Sequence, residues 1–263
     1  MMTSMVSRVL VLCVAGLLVA GGASAAEVKV MISGGLTAAY RALTPQFEHA
    51  TGNNVATAFG PSMGTTPQAI PQRIARGEPV DVVIMVGDAL GALIAQGKVV
   101  AASRVDLARS PIGIAVRAGA PKPDIGSVEG VKRALLAAKS IAYSDSASGV
   151  YVETELFRRL GIEDAVKAKS RMIPAEPVGQ VVARGEAELG FQQISELMPV
   201  AGIELVGKLP PELQKITVFA AGIATNAEQP KAGAALIAFL ASPEAAPALV
   251  KSGLEPIAAV AGK

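Results

Sequence analysis

Two hydrophobic rhythms alternate along this chain. Residues 27–33, EVKVMIS, alternate apolar and polar as a half-buried strand does. Behind them Leu36, Ala39, Tyr40, Leu43 and Phe47 recur at helical spacing, and Gly52 is a natural stop. Pro45 falls inside that run and predicts a kink or a fresh helix start, since proline lacks an N–H and suits a first helical position. NVATAFG reads as the next strand, and PSMGTTPQAIPQRIARG as a loop and a helix. VDVVIMVG is a continuous apolar run, the pattern of a strand covered on both faces, and DALGALIAQGKV reads as a helix behind it.

The alternation then resumes. ARSPIGIAVR reads as one strand, followed by a Pro/Gly turn and by a helix through VEGVKRALLAAK capped by Ser127. SIAYSD predicts a strand and GVYVETELFRRLG a helix closing on Gly161. PVGQVVARGEAELGFQQ gives a helix and a strand, and GIELVG and KITVFAAGIAT give two more strands. The helices PKAGAALIAFLAS and PEAAPALVKSG finish the chain. Strands and helices in this order imply mainly parallel α/β sheets with right-handed crossovers.

The N-terminus sets the compartment. Arg8, an apolar run from Val9 to Ala20, and the small residues Ala23, Ser24 and Ala25 read as a cleavable signal peptide over 1–25, so export to the periplasm is expected. Cys13 is the only cysteine and lies in that leader, which leaves the mature chain to be stabilised by its core. A net charge of +2, with no tryptophan and three tyrosines, offers neither a basic stripe for nucleic acid nor a stacking platform for bases or sugars. The expectation is a small ligand, no stable membrane insertion, and a monomer.

Three loops carry the candidate chemistry. SGGLT (Ser33–Thr37), GPSMGTT (Gly60–Thr66) and SASGVY (Ser146–Tyr151) each follow an expected strand and lead into an expected helix. Helix N-termini offer unpaired N–H groups and a partial positive charge, and small residues let an anion reach them. A lone histidine, His49, falls late in the first helix, away from these loops, and is set aside as a base. With no cysteine in the mature chain, no metal site and no cofactor are expected.

LTAAYRALTPQFEHATGNNV, IARGEPVDVVIM, SASGVYVETELFRRLGI and AEPVGQVVARGEAELGF resemble the periplasmic molybdate-binding proteins of ABC transporters, of the type II solute-binding fold. The resemblance implies two α/β lobes, 27–107 plus 222–263 and 108–221, with a ligand between them and an inner-membrane permease as partner. It also implies an oxyanion site of neutral donors: Ser33, Gly34 and Gly35; Ser62 with Met63 and Gly64; and backbone donors at Ser148 and Val178. This chain has Gly35 where those binders have a serine, and Gln193 where they have a tyrosine. The second loop is also longer. These departures fit a larger ligand with planar acceptors, a di- or tricarboxylate, and Arg109 at the first crossover would add a guanidinium fork. The chain is similar too to the aconitate isomerase-like relatives of that family. That alternative needs a general base to move an allylic proton, with Asp145, Tyr151 and Glu196 as candidates.

Overall fold

A computed structural model of the protein describes residues 25–174 and 176–257. The leader expected over 1–25 falls outside the described residues except for its last position, and Cys13 falls there with it.

Two sheets form the molecule. The six-stranded first sheet has the order β11-β4-β10-β3-β1-β2, with β1 Glu27–Ile32, β2 Asn54–Phe59, β3 Val82–Val86, β4 Val105–Ser110, β10 Thr217–Ile223 and β11 Glu255–Pro256. The five-stranded second has the order β7-β6-β8-β5-β9, with β5 Ile112–Arg117, β6 Ile141–Ser144, β7 Ser170–Ile173, β8 Leu189–Gln193 and β9 Ile203–Lys208. The parallel expectation holds for three adjacent strands in each sheet, β2-β1-β3 and β7-β6-β8. The remaining strands pair antiparallel. Chain that crosses from one sheet to the other enters the second sheet in the opposite sense, so both sheets are mixed.

The crossing itself explains one difference from expectation. ARSPIGIAVR is not one strand: β4 ends at Ser110 in the first sheet and β5 begins at Ile112 in the second. Pro111 between them has no N–H to extend either ladder. The chain returns between Lys208 and Thr217. The first crossing lies just past the boundary expected at 107/108, whereas the boundary expected at 221/222 falls inside β10. The short strand β7 had no apolar alternation to announce it; two of its four side chains are exposed.

Period-two alternation divides the core. Val28, Val30, Ile32, Val82, Ile84 and Val86 face α1 (Thr37–Thr51) and α10 (Pro230–Leu240), where Tyr40, Leu43, Phe47, Leu236 and Leu240 meet them. Met31, Val83 and Met85 face the other way, onto Ile70 of α2 (Ile70–Ala75) and Leu90 and Leu93 of α3 (Gly87–Ala95). All of β3 is buried, as its unbroken apolar run predicted. In the second sheet Ile114, Tyr143 and Phe191 pack beneath α4 (Val128–Ala137) and the helix opening at α5 (Ala147–Tyr151). That helix continues through a π-helical turn, Val152–Leu156, into α6 (Phe157–Arg159). Ala142 turns to α8 (Val178–Ala183).

Local signals hold where the chemistry is local. Ser127 Oγ accepts the Gly130 N–H at 3.1 Å as a cap, and Gly52 ends α1 with a positive φ of 71°. Pro45 does not break α1, which runs through it. Its position is exposed, so the carbonyl it leaves without an N–H can be hydrated. Asp81 is a tertiary tie that periodicity does not reveal. It is 1% exposed, and its carboxylate accepts the Lys29 N–H at 2.8 Å and the Gln229 N–H at 2.7 Å, joining β1 to the start of α10. Asp81→Ala leaves two half-buried donors without their carboxylate, so a stability loss of about 2–4 kcal/mol is expected in urea unfolding; a change below about 0.5 kcal/mol, the size of a neutral surface substitution, would show that water replaces the carboxylate.

Candidate functional site

The carboxyl ends of the parallel strands in both sheets converge on one cleft of about 560 Å³. From the first sheet come Ser33 after β1, Phe59 and Gly60 at the end of β2, and Val86 closing β3. From the second come Ser144 closing β6 with Asp145 to Ala147 after it, Glu176 and Pro177 beyond β7, and Gln192 and Gln193 closing β8. Open α/β sheets bind ligands at this end because helix N-termini and strand ends leave polar backbone there.

Three side chains on the cleft have hydrogen-bonding capacity unspent within the protein. Ser33 is 3% exposed, lines the cleft, and its hydroxyl has no partner among the described residues. Gln193 is 2% exposed; its Nε2 donates to Thr217 Oγ1 at 2.7 Å while its Oε1 has no partner. A hydroxyl donates as readily as it accepts, so the amide can reverse and present its NH₂ instead. Ser62 Oγ accepts the Val86 N–H at 3.0 Å and keeps its own proton to donate. Buried polar groups without partners are uncommon and cost about 1–3 kcal/mol each. Two on one cleft are what a polar ligand would satisfy.

Glu196 is the chemically unusual group. It belongs to α9 (Ile194–Leu197), which follows β8 without a loop, so the strand end delivers it to the cleft. Its Oε1 packs where a side chain on Gly34 would stand, and any larger residue at 34 would collide with it. Burial, reinforced by the nearby charge of Asp145, lifts its carboxyl from the ordinary 4.5 to about 7, against the opposing hydrogen bond from Gln192. Gln192 Oε1 in turn accepts the Val178 N–H at 2.9 Å. Gln192 therefore ties the start of α8 to Glu196.

Of the residues expected from sequence, Ser33, Gly34, Gly35, Ser62, Asp145, Gln193 and Glu196 line the cleft. The others stand elsewhere. Val178 does not offer its N–H to a ligand, because Gln192 takes it. Ser148 is fully buried behind the lining, its hydroxyl 3.0 Å from that of Ser144, and Ser144 to Ala147 face the cleft in its place. Tyr151 is a core residue: its hydroxyl donates to the Leu213 carbonyl at 2.6 Å and accepts from Arg159 at 3.2 Å, which leaves it no role as a base. Arg109 is exposed on β4, while its neighbour Ser110 faces inward to within 3.3 Å of Ser195; strand alternation turns the guanidinium away. Met63 and Gly64 lie in the second loop outside the lining, with Gly64 exposed.

Sequence reasoning missed Thr37, Phe59, Gln68, Glu176, Gln192 and Phe219. Gln192 had a readable signal, two adjacent glutamines ending a strand otherwise wholly apolar. Phe219 did not, since it reaches the cleft from β10, far along the chain. Its ring occupies the space beside Gly35 that a Cβ would need. The hydroxyl that molybdate binders carry at that position has no room here.

A model of the bacterial extracellular solute-binding proteins matches residues 28–255. The chain belongs to that family. It is 53% identical over 230 residues, 88% of each chain, to an aconitate isomerase of a Pseudomonas species. It is 30% identical over 254 residues, 93% of this chain and 95% of the other, to the molybdate-binding protein ModA of Azotobacter vinelandii. The solved Azotobacter vinelandii periplasmic molybdate-binding protein superposes with a TM-score of 0.69 at 22% identity, over 86% of this chain and 98% of that one. The two-lobed type II fold expected from sequence is therefore the fold observed.

The raised carboxyl has a measurable consequence. Between about pH 4.5 and 7 the folded protein holds a proton on Glu196 that the unfolded chain has released, so this group's contribution to stability falls as pH rises through that window. The stability of Glu196→Gln minus that of the parent is expected to grow by on the order of 3 kcal/mol from pH 4.5 to 8. Urea unfolding of the two proteins across that range measures it. A difference independent of pH would place the carboxyl in ordinary solvent.

Proposed function

We propose that this protein is an aconitate isomerase on a solute-binding frame, with Glu196 as the general base. The observation that carries the reading is a carboxyl group raised to about 7 on the wall of a ligand-sized cleft, in a chain 53% identical to an aconitate isomerase. A base whose proton affinity matches the operating pH both takes and returns a proton efficiently. The cleft volume falls in the usual range for small organic ligands, about 300–1,000 Å³.

Glu196 removes a proton from the allylic carbon of the bound tricarboxylate, the double bond shifts by one carbon, and the same proton returns at the other end of the allyl system. The new double bond takes its geometry from the conformation in which the former single bond was held, so cis and trans forms interconvert without rotation about a double bond, and nothing is consumed. Gln192 holds the Glu196 carboxyl in place. Ser33, Ser62 and a reversed Gln193 amide donate to the substrate carboxylates, and one of these receives the charge that builds during proton removal. Neutral donors set in place beforehand stabilise such charge without reorganising. Asp145 keeps Glu196 basic through its own charge.

Capture of an anion for an inner-membrane permease is the second reading, favoured by the family match and by the 30% identical molybdate-binding relative. Under either reading we place the protein in the periplasm after cleavage of the leader at 1–25. The lobes, 27–107 plus 222–263 and 108–221, would close on the ligand as a monomer, with no resident metal or cofactor.

NMR of trans-aconitate incubated with the mature protein is the direct test, and conversion to the cis form is expected. Glu196→Gln should lose at least about 100-fold in rate, the usual size of a general-base contribution, while trans-aconitate still raises its unfolding midpoint. Ser62→Ala should weaken binding about tenfold through one lost hydrogen bond. A parent that converts nothing and is stabilised by molybdate alone would make it a carrier of oxyanions.

A further inference from the structure

A second cavity, about 600 Å³, lies against the first. The two share Gly34, Thr37, Pro177, Gln192 and Glu196, so Glu196 forms part of both walls. Across both linings Asp145, Glu176 and Glu196 are acidic, and among the described residues Arg41 is the one basic side chain there. Glu176 is already paired, with Arg184 at 2.6 Å. A tricarboxylate bound beside Glu196 meets only neutral donors and acids in the first cavity, and needs a cation to offset its third charge.

Arg41 is placed to supply it. It sits one helical turn after Thr37 on α1, on the face that Thr37 and Ala38 also present to the second cavity. Its guanidinium carbon lies 4.7 Å from the centroid of the Phe59 ring, and Phe59, 40% exposed, lines the first cavity. Stacking on an aromatic face orients the guanidinium and leaves its N–H edge free for a carboxylate. Arg41 forms no ion pair among the described residues, in contrast to Arg73, Arg76, Arg104 and Arg184.

We propose that Arg41, held on Phe59, receives a terminal carboxylate of the substrate in this second cavity and so sets the preference for tricarboxylates over dicarboxylates. The substrate then straddles Glu196, with its other carboxylates on the neutral donors of the first cavity. This assignment rests on the isomerase reading above and adds the residue that distinguishes its substrate class.

The experiment compares trans-aconitate with itaconate, which has the same skeleton without one terminal carboxylate. Calorimetry gives both affinities, and NMR gives KM and kcat for trans-aconitate. Arg41→Gln is expected to weaken trans-aconitate about 10- to 100-fold, as loss of a charged hydrogen-bonding partner does, with itaconate unchanged. KM should rise while kcat is largely kept, and Arg41→Lys should recover part of the loss. Equal weakening of both ligands, or an unchanged trans-aconitate affinity, overturns the assignment. A parent that neither binds nor converts trans-aconitate overturns the isomerase reading together with this one. A parent that converts it, beside an Arg41→Gln variant of unchanged KM, removes Arg41 alone.

Discussion

The carboxyl of Glu196 lies against the backbone of Gly34, and the cleft depends on that approach. It joins the first loop of one sheet to the helix after β8 of the other, so neither lobe owns the site. A larger residue at 34 would push the carboxyl aside, and burial of Glu196 raises its proton affinity to near neutrality. Glu196 also forms the partition between two adjoining cavities. One close approach thus joins a loop residue, a raised carboxyl and the wall between two cavities.

Around that contact the fold supplies rigidity. Both sheets are covered on two faces by helices, and the strand ends that aim Ser33, Val86, Ser144 and Gln193 at the cleft are anchored in close-packed cores. Between the sheets, among the described residues, the buried side-chain hydrogen bonds are Gln193 to Thr217 at 2.7 Å and Ser110 facing Ser195 at 3.3 Å, beside packing of Met198 and Ile194 on Gly253. Short linkers at Pro111 and before Thr217 with sparse polar ties are compatible with lobes that move against one another, the usual means by which two-lobed binding proteins enclose a ligand. A frame evolved to surround a desolvated anion also suits proton abstraction next to carboxylates. In both cases charge must be met by donors already in place, with water excluded.

The fold was legible in the sequence to a high degree, because each layer is written as a local period. Alternation in Val28, Val30 and Ile32, the unbroken run of β3, and the helical spacing of Leu36 to Phe47 all follow from which faces are covered. The same holds for the three small-residue loops, all of which open a helix near the cleft. Legibility stopped where side-chain direction or chain continuity was decided at a distance. Arg109 looked like a ligand residue and faces out because strand period puts Ser110 inside. Tyr151 looked like a base and is taken by Leu213, a partner 62 residues away. Val178 looked like a donor, and Gln192 claims it.

By itself, then, the sequence determined the layers, the order of the elements and the family, since these depend on periodicity and on the motifs that carry the resemblance. Only the tertiary structure decided which loop residues face the cleft, which of the three candidate acids and hydroxyls has its proton affinity raised by burial, and which cation borders the cavity. Those properties arise from close approaches between residues far apart in the chain, Glu196 on Gly34, Phe219 on Gly35 and Arg41 on Phe59, and a linear pattern carries no record of such distances.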